Sequence, residues 1–105
     1  MKVTSKKIRD AARGQPCTLN IPGVCSYDDE TTVLCHFPDE YGGMGTKPSD
    51  LSAGFGCMDC HDELDRRTRR IELDSVDREF FMRRSQSRTL GMLVALGIVS
   101  VAGAK

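Results

Sequence analysis

The alternation of apolar and polar positions is sharpest over residues 31–37, Thr-Thr-Val-Leu-Cys-His-Phe. β-branched and apolar residues at a period of two predict a strand, with Thr32, Leu34 and His36 on one face and Val33, Cys35 and Phe37 on the other. Pro38 stops it, because proline cannot donate to a ladder. Residues 51–56 are apolar enough for a second strand and small enough for a helical turn, and the pattern leaves both open. Beyond Asp74 a helical period takes over. Asp74 or Ser75 caps this last helix, Val76, Phe80, Phe81 and Leu90 supply its apolar positions, and arginines occupy the other face.

At the opposite end Thr4 or Ser5 caps a short helix reaching Arg13, with Gly14 at its end. Its cations Lys6, Lys7, Arg9 and Arg13 could touch phosphates, although a solvated face is the commoner role. Residues 17–21 predict a short extended segment. Pro22-Gly23 fits the two centres of a type II turn, the second of which takes positive φ. That turn returns Cys25 towards Cys17. Residues 61–70 predict a further helix, on which His61 and Asp65 share a face. The expected fold is α+β, small and metal-stapled, with helices at both ends.

A chain of 105 residues implies one domain, residues 1–105, whose modest core is helped by a staple. Zero net charge argues against a broadly basic nucleic-acid binder, but the charges are clustered. Asp28, Asp29, Glu30, Asp39 and Glu40 lie in the first half; Arg-Arg-Thr-Arg-Arg spans residues 66–70, and Arg83, Arg84 and Arg88 follow. Local clusters set the field that a phosphate backbone feels. Residues 1–13 are polar and basic, unlike a secretion signal, so the five cysteines are expected to stay reduced and to favour metal over disulfide. The apolar run 90–104 is interrupted by Gly91, Gly97 and Gly103 and falls short of the ~18–20 residues that span a bilayer. It reads as core packing or an interaction surface, with no membrane role. The glycine-rich stretch from Gly42 to Pro48 lacks the Gly-Lys-Ser/Thr ending of a phosphate-cradling loop.

The chemistry gathers around Cys57-Met58-Asp59-Cys60-His61. Two thiols separated by two residues can grip one zinc, and Cys17 and Cys25 offer two more. The expectation is one structural zinc held by Cys17, Cys25, Cys57 and Cys60, with Cys35 left over. Imidazole and carboxylate on one helix face, His61 and Asp65, can hold a second, catalytic cation or orient a water. The plainer alternative is a structural knuckle with a chance histidine beside it.

Taken together, Cys17-x7-Cys25, Cys35-His36, Asp50-Leu51 and Cys57-x2-Cys60-His61 resemble the zinc-stapled HNH, or ββα-metal, endonucleases. More closely, Ala11-Ala12-Arg13-Gly14, Ile21-Pro22-Gly23-Val24-Cys25, Gly45-Thr46-Lys47-Pro48 and the run from Cys57 to Thr68 resemble the small prophage-encoded, nuclease-like proteins of the YbcO type. The likeness covers roughly residues 8–70. It implies a cytoplasmic, metal-dependent DNA endonuclease in a bacterial host. His36 matches the general base and His61 the ligand of the catalytic cation. Asp50 stands where the HNH family has Asn, and it could orient His36 by accepting a hydrogen bond from Nδ1–H. Many HNH sites carry a metal-binding side chain where this chain has Cys35, a poor ligand for Mg²⁺. Either Asp65 or Asp62 completes the site, or the cation is a transition metal, or Cys35 is simply buried, as its alternation with His36 favours. Arg66, Arg67, Arg69 and Arg70 are expected to hold DNA through phosphates rather than bases. The rival reading is a non-catalytic zinc module that binds DNA or a protein partner. A third, a Cys35–His61 nucleophilic pair, lacks an oxyanion site.

Overall fold

The computed structural model describes residues 1–43 and 45–104; Met44, within the glycine-rich stretch, and Lys105 lie outside it. The elements run α1 (Lys6–Ala11), a 3₁₀ turn (Asp29–Thr31), β1 (Val33–His36), β2 (Ala53–Gly56), α2 (Met58–Leu64) and α3 (Ser75–Ala95). This is the expected small α+β arrangement, with one helix before the strands and a long one at the end. The strand predicted over 31–37 is shorter because residues 29–31 wind into the 3₁₀ turn, capped by the Asp28 carboxylate. Ser5 caps α1 by accepting from the Ile8 amide. The helix stops at Ala11 rather than Arg13, ahead of Gly14 at φ +80°. The predicted turn is present: Gly23 has φ +76° and the Val24 amide donates to the Ile21 carbonyl at 3.1 Å.

Strands β1 and β2 are antiparallel, with Leu34 opposite Phe55, Cys35 opposite Gly54 and His36 opposite Ala53. Opposed residues share a face, so the sheet has two distinct sides. One side packs Phe55 with Ile8, Ala12 and Leu93, and Leu34 joins it. The other packs Cys35 and Phe37 against Leu19, Ile21, Leu64, Met82 and four cysteines. The segment 51–56, open to two readings in sequence, contains β2 because its glycines admit close neighbours. A Cβ at Gly54 would lie 2.0 Å from the Ser85 Oγ, and one at Gly56 would lie 2.7 Å from both Cys35 Sγ and Leu19 Cδ1.

Helix α3 takes Asp74, of its two expected caps Asp74 and Ser75: the Asp74 side chain accepts from the Asp77 amide. Its buried face differs from the predicted one. Met82, Ser85, Thr89 and Leu93 are buried, whereas Val76 is 73% and Phe80 57% exposed. The cause is a buried hydroxyl cluster. Thr18 Oγ1 lies 2.8 Å from the Phe55 carbonyl oxygen, 2.6 Å from Ser85 Oγ and 3.1 Å from Thr89 Oγ1. Thr89 Oγ1 in turn accepts from the Phe55 amide at 2.9 Å. Buried hydroxyls are tolerable only when bonded, and this face satisfies them. Part of the apolar run 90–104 serves the core, since Leu93 is buried and Met92, Ile98 and Val99 pack around it. Among the described residues no helix is long and apolar enough to cross a membrane.

The helix predicted over 61–70 is displaced. α2 starts at Met58, takes in Cys60 and ends at Leu64, and Arg66 adopts φ +61°. Buried Glu63 causes the reversal: its carboxylate accepts from the Thr68 hydroxyl at 2.6 Å, the Arg70 amide at 2.9 Å and the Ile71 amide at 3.2 Å. Residues 66–70 are therefore a loop folded over a carboxylate, not a helix face.

Candidate functional site

Cys17, Cys25, Cys57 and Cys60 converge, with every sulfur within 4.8 Å of the others. Tetrahedral zinc with Zn–S bonds of about 2.3 Å requires sulfurs about 3.8 Å apart, and Cys25 and Cys57 stand at 3.9 Å. The local backbone is shaped to present them. Cys57 is the N-cap of α2 and receives the Cys60 amide at 3.4 Å, while the Ile21 amide points at Cys60 Sγ and the Asn20 amide at Cys17 Sγ, each at 3.4 Å. Amides aimed at sulfur orient a ligand and soften its charge. Packed this closely, the thiols compete for ionisation. The Cys60 hydrogen bond draws Cys17 down to about 5, the same contact pushes Cys60 up, and burial pushes Cys25 up. A first thiolate forms readily and further ones meet mounting repulsion, which a bound cation relieves. The donor set could thus hold an ion such as zinc. Cys35 stays outside the cluster, fully buried on the same side of the sheet, and burial raises its pKa well above that of a free thiol, making it inert.

On the other side of the sheet a cleft of about 970 Å³ is lined by both His36, from the end of β1, and His61, from α2. Each imidazole has its own carboxylate. His36 Nε2 lies 2.7 Å from Asp50 Oδ1, and His61 Nε2 lies 3.0 Å from Asp65 Oδ2, one turn along α2. The nitrogen that meets Asp50 is therefore Nε2, not the Nδ1 anticipated from sequence. Asp50 itself is buried. Its second oxygen accepts from the Ser5 amide at 2.7 Å and lies 3.7 Å from Arg9 Nε. Burial alone would raise its pKa, but the His36 contact, the Ser5 amide and the Arg9 charge together hold it below the ordinary carboxylate value.

The cleft also takes in Lys6, Arg9 and Arg13 from around α1, Lys47 and Arg67. In sequence the α1 cations were candidates for phosphate contact on a face more commonly solvated; the packing of Ile8 and Ala12 on the sheet and the bond from Ser5 to Asp50 bring them here. The four arginines of residues 66–70 are separated. Arg67 lines the cleft, bonded to Asp62 at 3.2 Å and 3.6 Å from Asp65. Arg66, Arg69 and Arg70 line a different groove with Arg78, and Arg70 pairs with Asp59 at 3.3 Å. Sequence reading did not anticipate Glu63, the carboxylate that shapes this loop. Nothing in the local sequence set it apart, since it sits in the polar run His61-Asp62-Glu63-Leu64-Asp65 among other acids.

With this geometry in view, the comparisons with known proteins are specific. The family described as "Putative nuclease YbcO" matches over residues 6–98, so the match takes in α3 and extends past the segment 8–70 that carried the resemblance in sequence. A protein of Escherichia coli (strain K12) named "Putative nuclease YbcO" is 50% identical over 66 residues, covering 62% of this chain and 69% of its own. A protein of the same name from Enterobacteria phage 82 matches with the same identity and coverage. A solved structure titled "Structure of a putative bacteriophage protein from Escherichia coli str. K-12 substr. MG1655" superposes with a TM-score of 0.71 at 37% identity, covering 87% of this chain and all of that one. The thiol cluster and the two-histidine cleft thus sit within a match spanning nearly the whole chain, and the protein belongs to the YbcO family of phage-related proteins, whose members carry the name putative nuclease.

Proposed function

We propose that the protein is a metal-dependent endonuclease that hydrolyses DNA phosphodiester bonds in the bacterial cytoplasm, with residues 1–105 forming one HNH-like, ββα-metal domain. The observation that carries this reading is the single cleft into which β1 and α2 bring His36 and His61, each bonded to a carboxylate. The order β1, β2, α2, with the thiol cluster where β2 meets α2, supports it.

His36 acts as general base. With Nε2–H given to Asp50, Nδ1 is the nitrogen left to take a proton from an attacking water, and the Asp50 carboxylate stabilises the imidazolium that results. His61 and Asp65 are two donors on one open face, the kind of site that leaves positions for water and phosphate oxygens. A divalent cation bound there, Mg²⁺ or a transition metal, would neutralise charge developing on the phosphate and the leaving oxygen. Arg67, beside Asp65, and Arg66, Arg69 and Arg70, in the neighbouring groove, hold backbone phosphates and so confer little sequence preference. Cys17, Cys25, Cys57 and Cys60 hold structural zinc and take no part in the chemistry.

The test is cleavage of duplex, branched and single-stranded DNA, and of RNA, by the full chain with Mg²⁺, Mn²⁺ or Zn²⁺. At least one combination is expected to be cut. His36→Ala should lower the rate by about 10²–10⁴-fold, the usual contribution of a general base, with DNA affinity nearly unchanged, because the base acts in the transition state. His61→Ala should abolish cleavage and weaken cation binding while leaving the zinc in place. No cleavage under any of these conditions by folded, zinc-loaded protein would leave the zinc module that binds DNA or a protein as the function.

A further inference from the structure

Helix α3 carries one stripe that neither the core nor the cleft uses. Phe80, Arg83, Arg84, Ser87 and Arg88 follow one another at steps of three and four, so they form a continuous line on one side of the helix. They line a shallow groove of about 310 Å³ that includes no carboxylate. Among the described residues none of the three arginines is paired with an acid, whereas Arg67 and Arg70 both are. Three unneutralised guanidinium groups on two turns of helix repel one another, and a chain keeps such a cluster at a cost unless an anion joins it.

The side chains of the stripe also have partners. The Arg84 guanidinium sits 5.3 Å from the Phe80 ring centroid and 5.2 Å from that of Phe81, and it donates to the Leu19 carbonyl at 2.8 Å. Arg88 donates to Asn20 Oδ1 at 3.1 Å. Phe80 packs edge-on against Phe81 and is nonetheless 57% exposed. An exposed aromatic ring set among arginines matches the way proteins hold unpaired nucleotides, with bases stacked on rings and phosphates on cations. A duplex has no free base face to offer Phe80, and the stripe has no Asn or Gln to read base edges.

We propose that the stripe is a second nucleic-acid contact, apart from the cleft, which holds a single-stranded segment by stacking a base on Phe80 and seating phosphates on Arg83 and Arg88. It rests on the nucleic-acid reading above and narrows it: preferred substrates have an unpaired stretch next to the cleaved bond, as branched or tailed DNA does. An acidic protein would meet the arginines but leave Phe80 unused, and so fits the stripe less well.

Binding of fluorescein-labelled dT20 and of a blunt duplex is measured by anisotropy at several salt concentrations. The protein is the full zinc-loaded chain carrying His36→Ala, without added divalent cation. Adding Arg83→Ala with Arg88→Ala should weaken dT20 binding by about tenfold or more. It should also reduce the slope of log K against log salt by about 1.4, roughly 0.7 for each single-strand phosphate lost. Phe80→Ala should weaken dT20 binding by at least about fivefold, the low end of one stacked base, and leave the blunt duplex unchanged. Arg83→Ala alone breaks no bond to the thiol loop and keeps the test open if the double variant folds poorly. Unchanged dT20 affinity and salt slope in these variants, or no dT20 binding by the parent protein, overturns the proposal. So does a case in which the variants alter only sedimentation, which would mark the stripe as a protein interface. If the stripe binds dT20 as expected but the wild-type chain cuts nothing, the contact stands and the nuclease reading falls.

Discussion

The carboxylate at position 50 has a physical explanation in what that side chain must accept. Oδ1 of Asp50 faces His36 and Oδ2 takes the Ser5 amide with Arg9 nearby, so the position needs two acceptors in a buried place. Asn offers one oxygen and would turn an NH₂ group against a donor. Asp50→Asn is therefore expected to cost about 1–3 kcal/mol of stability, the penalty of an unsatisfied buried donor, and, on the proposed nuclease reading, to slow cleavage by disorienting His36, with urea unfolding and rate as the two measurements. The carboxylate also has a pH signature. Its folded pKa lies below the unfolded value of about 3.9, held there against burial by His36, Ser5 and Arg9. Its contribution is thus complete above the unfolded value and is lost as pH falls through the folded one. The stability gap between wild type and Asp50→Asn should accordingly be widest above about pH 5 and close on acidification below about pH 4. A gap constant with pH would mean that Asp50 is not the charged clamp described.

Among the elements, β2 and α3 define each other. Gly54 has no Cβ because Ser85 occupies that space, and Ser85 is buried there because Thr18 bonds it. Gly54→Ala is expected to destabilise the fold by about 1–3 kcal/mol through overpacking. In a Ser85→Ala background, where the nearest clashing atom is gone, the same change should cost less, although the Ser85 Cβ at 3.0 Å and Phe37 at 3.1 Å remain. A double-mutant cycle in urea measures this coupling, and strictly additive values would contradict the close approach. The same pair explains why the hydrophobic pattern of α3 pointed to the wrong side. Phe80 and Val76 are apolar yet exposed, and Ser85 and Thr89 are polar yet buried. A polar residue can take a core position when its hydroxyl is satisfied by a partner from another segment, which no periodicity along the helix records.

For the molecule as a whole, the thiol cluster joins the loop of residues 17–25 to the start of α2, and the same core side packs against β1. One zinc per chain is expected on metal analysis, and its binding, about 10 kcal/mol for structural zinc, is comparable to the whole stability of a domain this size. Stripping it with a strong chelator should lose helical circular dichroism along with the metal. A metal-free chain that kept its native spectrum would show that the core stands without the staple.

Sequence alone determined what is local. It narrowed the helix caps to Thr4 or Ser5 and to Asp74 or Ser75, of which Ser5 and Asp74 serve; it placed a strand within residues 31–37 and a turn at Pro22-Gly23, and its paired thiols pointed to a metal, because each follows from a few adjacent residues. The four-residue step from His61 to Asp65 is equally local, and the pair meets as that spacing requires. Tertiary structure decided the rest. It made strand β2 out of residues open to two readings, ended α2 at Leu64 by folding the following loop onto Glu63, and scattered the arginines of residues 66–70 over two grooves. It also brought α1 to the cleft of His36 and His61 through the Asp50 carboxylate. For β2 and for the contact of α1 with the cleft the deciding partner lies far along the chain, and at Glu63 it lies beyond the end of the helix itself; a residue's face, its burial and the use of a glycine's empty side are set by what arrives there from outside its own element.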